Sequence, residues 1–264
     1  MPTVIIYSFI LLLGAVVGSF LNVCVFRIPK NESIIFPASH CQACRHPIAW
    51  RDNIPVVSFL LLKGQCRHCN APISGQYIWV ELSCVVLFFL FYGVFGLTVR
   101  GAVYLILSLA LLTESLIDWK HQIIPDGITL SGIVIGLAVS GLFPELHGES
   151  VWFRGLLSGS LGVLFGGGIL YAVGTVSEWI MKKETMGGGD VKLLAMIGAV
   201  LGWKGVLGTL FISSFLGSVA GIILRWRQGQ ERIPFGPYLA VGAFLYLFFG
   251  QQMIDAYIGL FKLS

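Results

Sequence analysis

Charged residues are scarce in this sequence, since Asp, Glu, Lys and Arg make up only 11% of its 264 residues. Hydrophobic residues make up 56%, and the mean hydropathy is +0.85. A soluble core does not need so much apolar sequence, and several stretches approach or exceed the roughly 20 residues that span a bilayer. The composition therefore excludes a soluble globular protein and predicts an all-α polytopic membrane protein.

The signature of a removable signal peptide is also missing. No basic residue precedes the first apolar segment, residues 4–26, and no clear small-x-small cleavage site ends it. The basic residues Arg27 and Lys30 follow the apolar run instead. We therefore expect a retained membrane anchor with its N-terminus outside.

The apolar pattern predicts about eight transmembrane helices. Their approximate bounds are 4–26, 77–97, 101–118, 127–143, 152–181, 190–202, 205–225 and 236–261. Two glycine pairs in the fifth segment, Gly155 with Gly159 and Gly162 with Gly166, favour close helix packing in lipid.

The basic residues sort by side of the membrane, so the formal net charge of +4 does not indicate a nucleic-acid partner. With the N-terminus outside, 13 of the 17 Lys and Arg residues fall on the inner side. The long loop 27–76 then lies in the cytoplasm. We predict three parts: a first transmembrane helix (1–26), a small cytoplasmic domain (27–76) and a helical bundle (77–264).

Four of the six cysteines lie in this loop, in two copies of the motif C-x-x-C-x-x-P-I. Cys41 and Cys44 are followed, after 21 residues, by Cys66 and Cys69, which is close to the spacing of four-cysteine zinc sites. A loop with few apolar runs cannot hold itself together by burial, and a bound metal would supply the missing stability. We predict a structural zinc site. The alternative, two disulfides, requires an oxidising compartment.

Two aspartates are notable because carboxylates are costly in a membrane protein. Asp118 ends one apolar segment, and Asp190 follows Gly187, Gly188 and Gly189. The predicted topology places both aspartates at the same depth on the inner side. There the pair could share one proton, with one carboxyl as general base on a water and the other as general acid. This arrangement predicts an aspartic protease.

The local contexts of the two aspartates differ. Asp118 lies near a helix C-terminus, where negative charge is disfavoured, and Asp190 lies near a helix N-terminus, where it is favoured. We therefore expect Asp118 to hold the shared proton more readily. Gly187, Gly188 and Gly189 permit unusual backbone angles and would leave room for an extended peptide substrate. The alternative is a flexible loop in which Asp190 caps the next helix.

Other polar residues lie near the pair. Glu114 shares a helix face with Asp118 and either tunes the pair or makes a polar contact within the bundle. Asp126 follows a proline and precedes an apolar segment, which indicates a helix cap. Lys192 either neutralises charge beside Asp190 or extends to the surface.

At these residues the sequence resembles the type IV prepilin peptidases, also called leader peptidase/N-methyltransferases, which are aspartic proteases of the GxGD type. A lone G-x-G-D would be weak, but this ordered set is highly specific and covers nearly the whole chain. The matching stretches are Gly18-Ser19-Phe20-Leu21-Asn22-Val23, Arg27-Ile28-Pro29, the two cysteine motifs, Asn53-Ile54-Pro55, Val80-Glu81-Leu82, Ile117-Asp118, Ile124-Pro125-Asp126, Gly187-Gly188-Gly189-Asp190-Val191-Lys192-Leu193-Leu194 and Ile233-Pro234-Phe235-Gly236-Pro237. Many relatives have a bulky residue where this chain has Gly188, which should loosen the loop without removing the chemistry.

The resemblance implies that Asp118 and Asp190 are catalytic, with Gly187 to Gly189 and Lys192 in the substrate-facing loop. The substrate would be a prepilin or pseudopilin with a short basic leader, a glycine before the cleaved bond and an apolar helix after it. The enzyme would lie in the bacterial inner membrane, with its active site at the cytoplasmic face. It would serve type IV pili or type II secretion, and the choice between them stays open.

Relatives with the long cysteine loop usually also methylate the new N-terminal residue with S-adenosylmethionine. No glycine-rich nucleotide fingerprint follows a predicted strand. The resemblance instead directs attention to residues 19–81, the part that protease-only relatives lack. Candidates for the methyl-donor site there are Asn22, Arg27, Asn53 and Glu81. The alternative for each is a polar contact that ties the cysteine loop to the helices.

Two further functions stay open. One is a peptidase without methyl transfer, in which the cysteine loop only recruits substrate. The other is a transporter or scaffold whose aspartates line an ion path. The second is disfavoured because no comparable acid continues the path to the opposite side.

Overall fold

Helices form all the regular structure that a computed structural model of the chain describes, in residues 2–182, 186–228 and 234–262. The helices are α1 (Pro2–Arg27), α2 (Val57–Leu61), α3 (Gln76–Phe95), α4 (Val99–His121), α5 (Asp126–Leu142), α6 (Trp152–Met181), α7 (Gly188–Gln228) and α8 (Gly236–Lys262). Within these ranges no β-strand occurs. Lys183 and Arg232, counted on the inner side, and Ile233 of the last matching stretch lie outside the described residues.

Six of the described helices are long and apolar enough to cross a membrane, namely α1, α3, α4, α6, α7 and α8. The apolar helix α5 is shorter, with 17 residues. Helix α7 is interrupted at Gly202, whose φ of 68° and ψ of −179° are not helical. Its two halves therefore correspond to two of the predicted segments, and the all-α polytopic membrane fold is confirmed.

The interruption at Gly202 depends on the lack of a side chain. An added Cβ would lie 2.7 Å from Oγ of Ser158 and 3.0 Å from Nδ1 of His147, and the positive φ is itself unfavourable for other residues. The hydroxyl of Ser140 donates to the carbonyl of Ala199 (2.7 Å), so His147 Nε2 donates to the Ser140 oxygen (2.8 Å). These bonds supply a partner for a carbonyl close to the break.

The chain divides into two compact units, Met1–Leu109 and Ala110–Ser264. Helix α4 contributes residues to both units. The division into parts 1–26, 27–76 and 77–264 stays a prediction.

In the first unit, α1 packs against α3 at two glycines. A Cβ added at Gly14 would lie 2.9 Å from Cα of Val85, and one added at Gly18 would lie 2.6 Å from Cα of Glu81. Small residues four positions apart allow such close approach of helix backbones in lipid. Glu81 therefore lies at a close contact between the two helices.

The loop between α1 and α3 has almost no buried residues. Ser58 is the only buried side chain within residues 31–75, all of which the structure describes. Two isolated β-bridges, His40 with Pro47 and Gln65 with Pro72, close short hairpins that carry the cysteines. Burial alone does not stabilise such a segment.

The core of the second unit is the first half of α7, where residues 193–200 are all buried. Helices α5, α6 and α8 pack against α7. The predicted role of the α6 glycines is confirmed, because a Cβ added at Gly162 would overlap the Gly198 carbonyl. A Cβ added at Gly166 would lie 2.5 Å from the carbonyl oxygen of Leu194. Backbone therefore packs directly on backbone, and this contact fixes the helix that carries Asp190.

Candidate active site and metal centre

Asp118 lies in the last turn of α4, which continues to His121, three residues beyond the predicted end. The residue is only 6% exposed. Its Oδ2 accepts a hydrogen bond of 3.1 Å from the N–H of Gly236, the first residue of α8. The N-terminus of α8, which is the positive end of its helix dipole, therefore faces the Asp118 carboxylate.

Asp190 is the third residue of α7 and lies in its first turn. Its N–H donates to the carbonyl of Gly187 at 3.2 Å. The side chain is half-buried, and Oδ1 is enclosed without a hydrogen-bond partner among the described residues. The two aspartates thus differ in the donors that surround them.

Both aspartates line one cavity of about 260 Å³ in the second unit. The other lining residues are Gln122, Ile123, Ile124, Asp126, Gly187 and Gly189. Gly189 has to be small, because an added Cβ would lie 2.8 Å from Cβ of Ile124. The structure therefore brings the C-terminal end of α4 and the N-terminal end of α7 to one polar pocket.

The glycine run differs from the sequence prediction. Gly188 and Gly189 begin α7, and all three of Gly187, Gly188 and Gly189 are described without a positive φ. The freedom that glycine gives to the backbone angles is therefore not used here, because two of these residues simply start the helix. Asp190 lies inside the first turn, so it does not cap the helix either. Gly189 leaves room for the side chain of Ile124. Gly187 and Gly188 are exposed.

Lys192 pairs with Asp126 and not with Asp190. Its Nζ lies 2.7 Å from Oδ1 of Asp126, and both side chains are partly exposed. Asp126 is the first residue of α5, whose N-cap is Pro125, so the prediction that Asp126 caps the helix is wrong. An exposed ion pair of this kind contributes up to about 1 kcal/mol.

Glu114 lies one helical turn before Asp118 and is only 1% exposed. Neither of its carboxyl oxygens has a hydrogen-bond partner among the described residues. A buried charge without a partner is very unfavourable, so Glu114 is best accommodated as a neutral acid. In that form it lies close to Asp118 without adding a second negative charge.

The sequence pattern assigns no role to Gly236 or Gln122, which the structure places at the site. A Cβ at Gly236 would lie 2.6 Å from Oδ2 of Asp118, so only glycine allows this approach. Gln122 has a left-handed φ of 53° and lines the pocket directly after α4. The signal for Gly236 was its place in the matching stretch before α8. No local feature marks Gln122.

The four loop cysteines form one cluster, with all sulfur atoms within 4.8 Å of one another. All four are free thiols, which contradicts the alternative of two disulfides. The sulfurs of Cys41 and Cys69 lie 3.8 Å apart. Two thiolates on a tetrahedral zinc, each at about 2.3 Å, are separated by about 3.8 Å. The donor set therefore fits a zinc ion.

The repeated sequence motif produces a repeated backbone conformation. Arg45 and Asn70, each four residues after the first cysteine of its motif, have φ of 56° and 55°. The N–H of each donates back to the carbonyl of that cysteine. Both hairpins thus present their thiols in the same way. The exposed rings of His46 and His68 lie against each other, with centroids 3.6 Å apart.

One ion pair joins the second cysteine motif to the rest of the loop. Arg67 donates to both carboxylate oxygens of Asp52, with a shortest distance of 2.7 Å. These hydrogen bonds lower the pKa of the Asp52 carboxyl. The bidentate geometry fixes the orientation of the second hairpin.

Arg27 and Glu81, two of the four residues predicted at the methyl-donor site, bond to the loop backbone. Arg27 donates to the carbonyls of Ser33 (2.9 Å) and Pro37 (2.7 Å). Glu81 accepts the N–H of Val56 at 2.6 Å. These are contacts of the alternative kind, which tie the loop to the helices.

The other two candidates lie in unlike surroundings. Asn22 is fully buried and donates to the carbonyls of Gly18 (3.3 Å) and Tyr77 (3.0 Å), while its Oδ1 has no partner within the described chain. Asn53 is exposed. Whether the four residues form a common site for S-adenosylmethionine stays a prediction.

Comparison with known proteins gives matches over most of the chain. The family model of the bacterial peptidase A24 N-terminal domain matches residues 12–95, and that of the type IV leader peptidase family matches residues 105–222. A protein of Pseudomonas aeruginosa named prepilin leader peptidase/N-methyltransferase is 36% identical, over 94% of this chain and 92% of its own length. Proteins with the same name from Xanthomonas campestris pv. campestris (34%; 93% and 92% covered) and Klebsiella pneumoniae (40%; 78% and 90% covered) are also similar. No solved structure matches the chain.

Proposed function

Because the chain belongs to the type IV leader peptidase family, we propose that Asp118 and Asp190 are the catalytic pair with which it cleaves prepilins. The protein is a bacterial inner-membrane enzyme that removes the prepilin leader and methylates the new N-terminus. The observation that carries the assignment is the shared pocket, which both carboxyl groups line. The inner-side excess of basic residues supports a position of this pocket at the cytoplasmic face.

The surroundings of the aspartates support an assignment of their roles that is opposite to the sequence expectation. Asp118 is the general base, because the Gly236 N–H and the positive end of α8 stabilise its negative charge. Asp190 is the general acid, because its enclosed Oδ1 has no donor to stabilise a charge. The C-terminal position of Asp118 on α4 is offset by α8, which the local sequence does not show.

The reaction then follows from the positions of the two groups. Asp118 removes a proton from a water held in the pocket, and the water oxygen attacks the scissile carbonyl carbon. Asp190 donates its proton to the carbonyl oxygen, which gives a neutral tetrahedral intermediate. Collapse of this intermediate breaks the C–N bond: one of its hydroxyl groups returns a proton to Asp190, and Asp118 gives the proton that it took from the water to the leaving amine. The exposed Gly187 and Gly188 leave space for the extended substrate backbone.

The cysteine cluster is the proposed site of a structural zinc ion. Cys41, Cys44, Cys66 and Cys69 would fill all four positions of a tetrahedral ion, which leaves none for substrate. The ion would hold together two hairpins that lack a buried core. Its role is therefore in stability of the loop and not in the chemistry.

S-adenosylmethionine is the proposed methyl donor. It would supply an electrophilic methyl group for the new N-terminal amine. Of the predicted residues only Asn22 has an unused buried acceptor, and Arg27 and Glu81 are engaged by the loop backbone. Those two residues are therefore assigned to structure and not to donor binding.

One experiment tests the two activities together. Purified protein in detergent is incubated with a prepilin and S-adenosylmethionine that carries a labelled methyl group. Shortened and labelled product is the expected result. Shortened, unlabelled product would exclude methyl transfer, and intact substrate would exclude the enzyme function and favour a transporter or scaffold.

A further inference from the structure

Val56 has a backbone conformation that valine rarely adopts. Its φ is 62° and its ψ is −51°. The N–H of Val57 donates to the carbonyl of Pro55 at 2.6 Å, which closes a γ-turn of the strained kind. For a β-branched residue a positive φ is a genuine outlier, and it persists only where surrounding groups hold it.

The group that holds this turn is the carboxylate of Glu81. Its bond from the Val56 N–H, at 2.6 Å, has the short length of a hydrogen bond to a charged acceptor. Glu81 is only 6% exposed and lies against α1, because a Cβ added at Gly18 would be 2.6 Å from its Cα. One buried carboxylate therefore joins α1, α3 and the cysteine loop.

Further bonds extend from this turn to the cysteine centre. Ser58, two residues after Val56, donates its hydroxyl to the carbonyl of Arg51 at 3.0 Å. Asp52, the residue after Arg51, forms the bidentate ion pair with Arg67 in the second cysteine motif. Hydrogen bonds joined by short stretches of backbone thus connect α3 to one of the two hairpins.

We propose that Glu81 is a positioning residue for methyl transfer, which holds the Val56 turn and so fixes the cysteine loop against α1 and α3. In this role it acts through the loop and not on the methyl donor, because its buried carboxylate accepts the Val56 N–H. This proposal rests on the proposed methyl-transfer function. It assigns to Glu81 a role through Val56, which a change of Val56 alone can test.

The test combines two substitutions in the full-length protein. Glu81→Gln keeps the size of the side chain but removes its charge. We expect faster amide hydrogen exchange in residues 50–62 and a loss of methyl transfer to a pre-cut peptide of about tenfold or more, with cleavage retained. Val56→Gly added to this variant should restore slow exchange and most of the methyl transfer, because glycine adopts a positive φ without strain.

Val57→Gly in the Glu81→Gln background is the matched control, since Val57 begins a helix and should gain nothing from glycine. The proposal is overturned if Glu81→Gln leaves the exchange unchanged. It is also overturned if Val56→Gly restores slow exchange but no methyl transfer, because Glu81 would then act on the donor. Should the unaltered protein transfer no methyl group at all, the proposed function fails, and the exchange data alone decide whether Glu81 holds the turn.

Discussion

The N–H of Gly236 lies 3.1 Å from Oδ2 of Asp118, across 118 positions of sequence. This bond places the N-terminus of α8 against the carboxylate at the C-terminal end of α4. It gives Asp118 a donor that Asp190 lacks on its enclosed oxygen. The two members of the pair are therefore unequal before any substrate binds.

Replacement of either aspartate should remove cleavage and spare methyl transfer. We expect Asp118→Asn and Asp190→Asn each to slow prepilin cleavage by at least about a thousandfold, because base and acid act as a unit. Transfer of a labelled methyl group to a pre-cut peptide measures the second activity. Asp255→Asn is the control, since Asp255 is exposed on α8 and accepts a hydrogen bond from Gln251, one turn earlier on the same helix.

The assignment of base and acid predicts an order between these variants. Asparagine at position 190 still offers an N–H to the carbonyl oxygen, whereas asparagine at position 118 offers no base. Residual cleavage should therefore be about tenfold higher in Asp190→Asn than in Asp118→Asn. The reverse order, measured as single-turnover rates, would exchange the two roles.

Gly236→Ala should disable cleavage without unfolding the protein. The new Cβ would lie 2.6 Å from Oδ2 of Asp118, so the carboxylate has to move. A displacement of this size lowers the cleavage rate by about a hundredfold. Gly168→Ala on α6 is the matched control, because nothing lies within 4 Å of a Cβ there and the residue is outside the pocket, and normal cleavage by Gly236→Ala would contradict the prediction.

Metal analysis of the purified protein should give about one zinc per chain, as four thiolates bind one ion. Cys44→Ser should lose the zinc and make the loop sensitive to protease, because few buried residues hold it. Cleavage should persist, since both aspartates lie in the second unit. Cys84→Ala, a fully buried position in α3, is the control and should keep the metal.

Gly202→Ala should destabilise the helical bundle. Alanine would carry a positive φ and contact Ser158 and His147, which costs about 1–3 kcal/mol. Thermal unfolding in detergent measures the loss. Gly168→Ala on α6, with open space around its Cβ, should change stability by less than about 1 kcal/mol. Equal unfolding temperatures for the two variants would show that the break in α7 tolerates a side chain.

Local features of the sequence predict much of the fold and of the site. Apolar runs define the membrane helices, and the paired motifs identify the four cysteines, because both signals lie within short stretches. Asp118 and Asp190 are identifiable because an acid is unfavourable in such surroundings. The start of α7 at Gly188 and the pairing of Lys192 with Asp126 are not identifiable in this way. Both features are determined by the packing of segments that are distant in the sequence. The same holds for the hydrogen bond that the Gly236 N–H donates to Asp118.

The glycine face of α6 also limits how the catalytic pocket can open. Because the backbones of α6 and α7 touch at Gly162 and Gly166, a slide or rotation of α7 that brought a side chain to these points would be opposed by contact with α6. We therefore expect the pocket to widen at the turn of residues 122–126 or at the start of α8, which also border the two aspartates. An inhibitor that bridges those two segments would lock the enzyme shut without touching either aspartate.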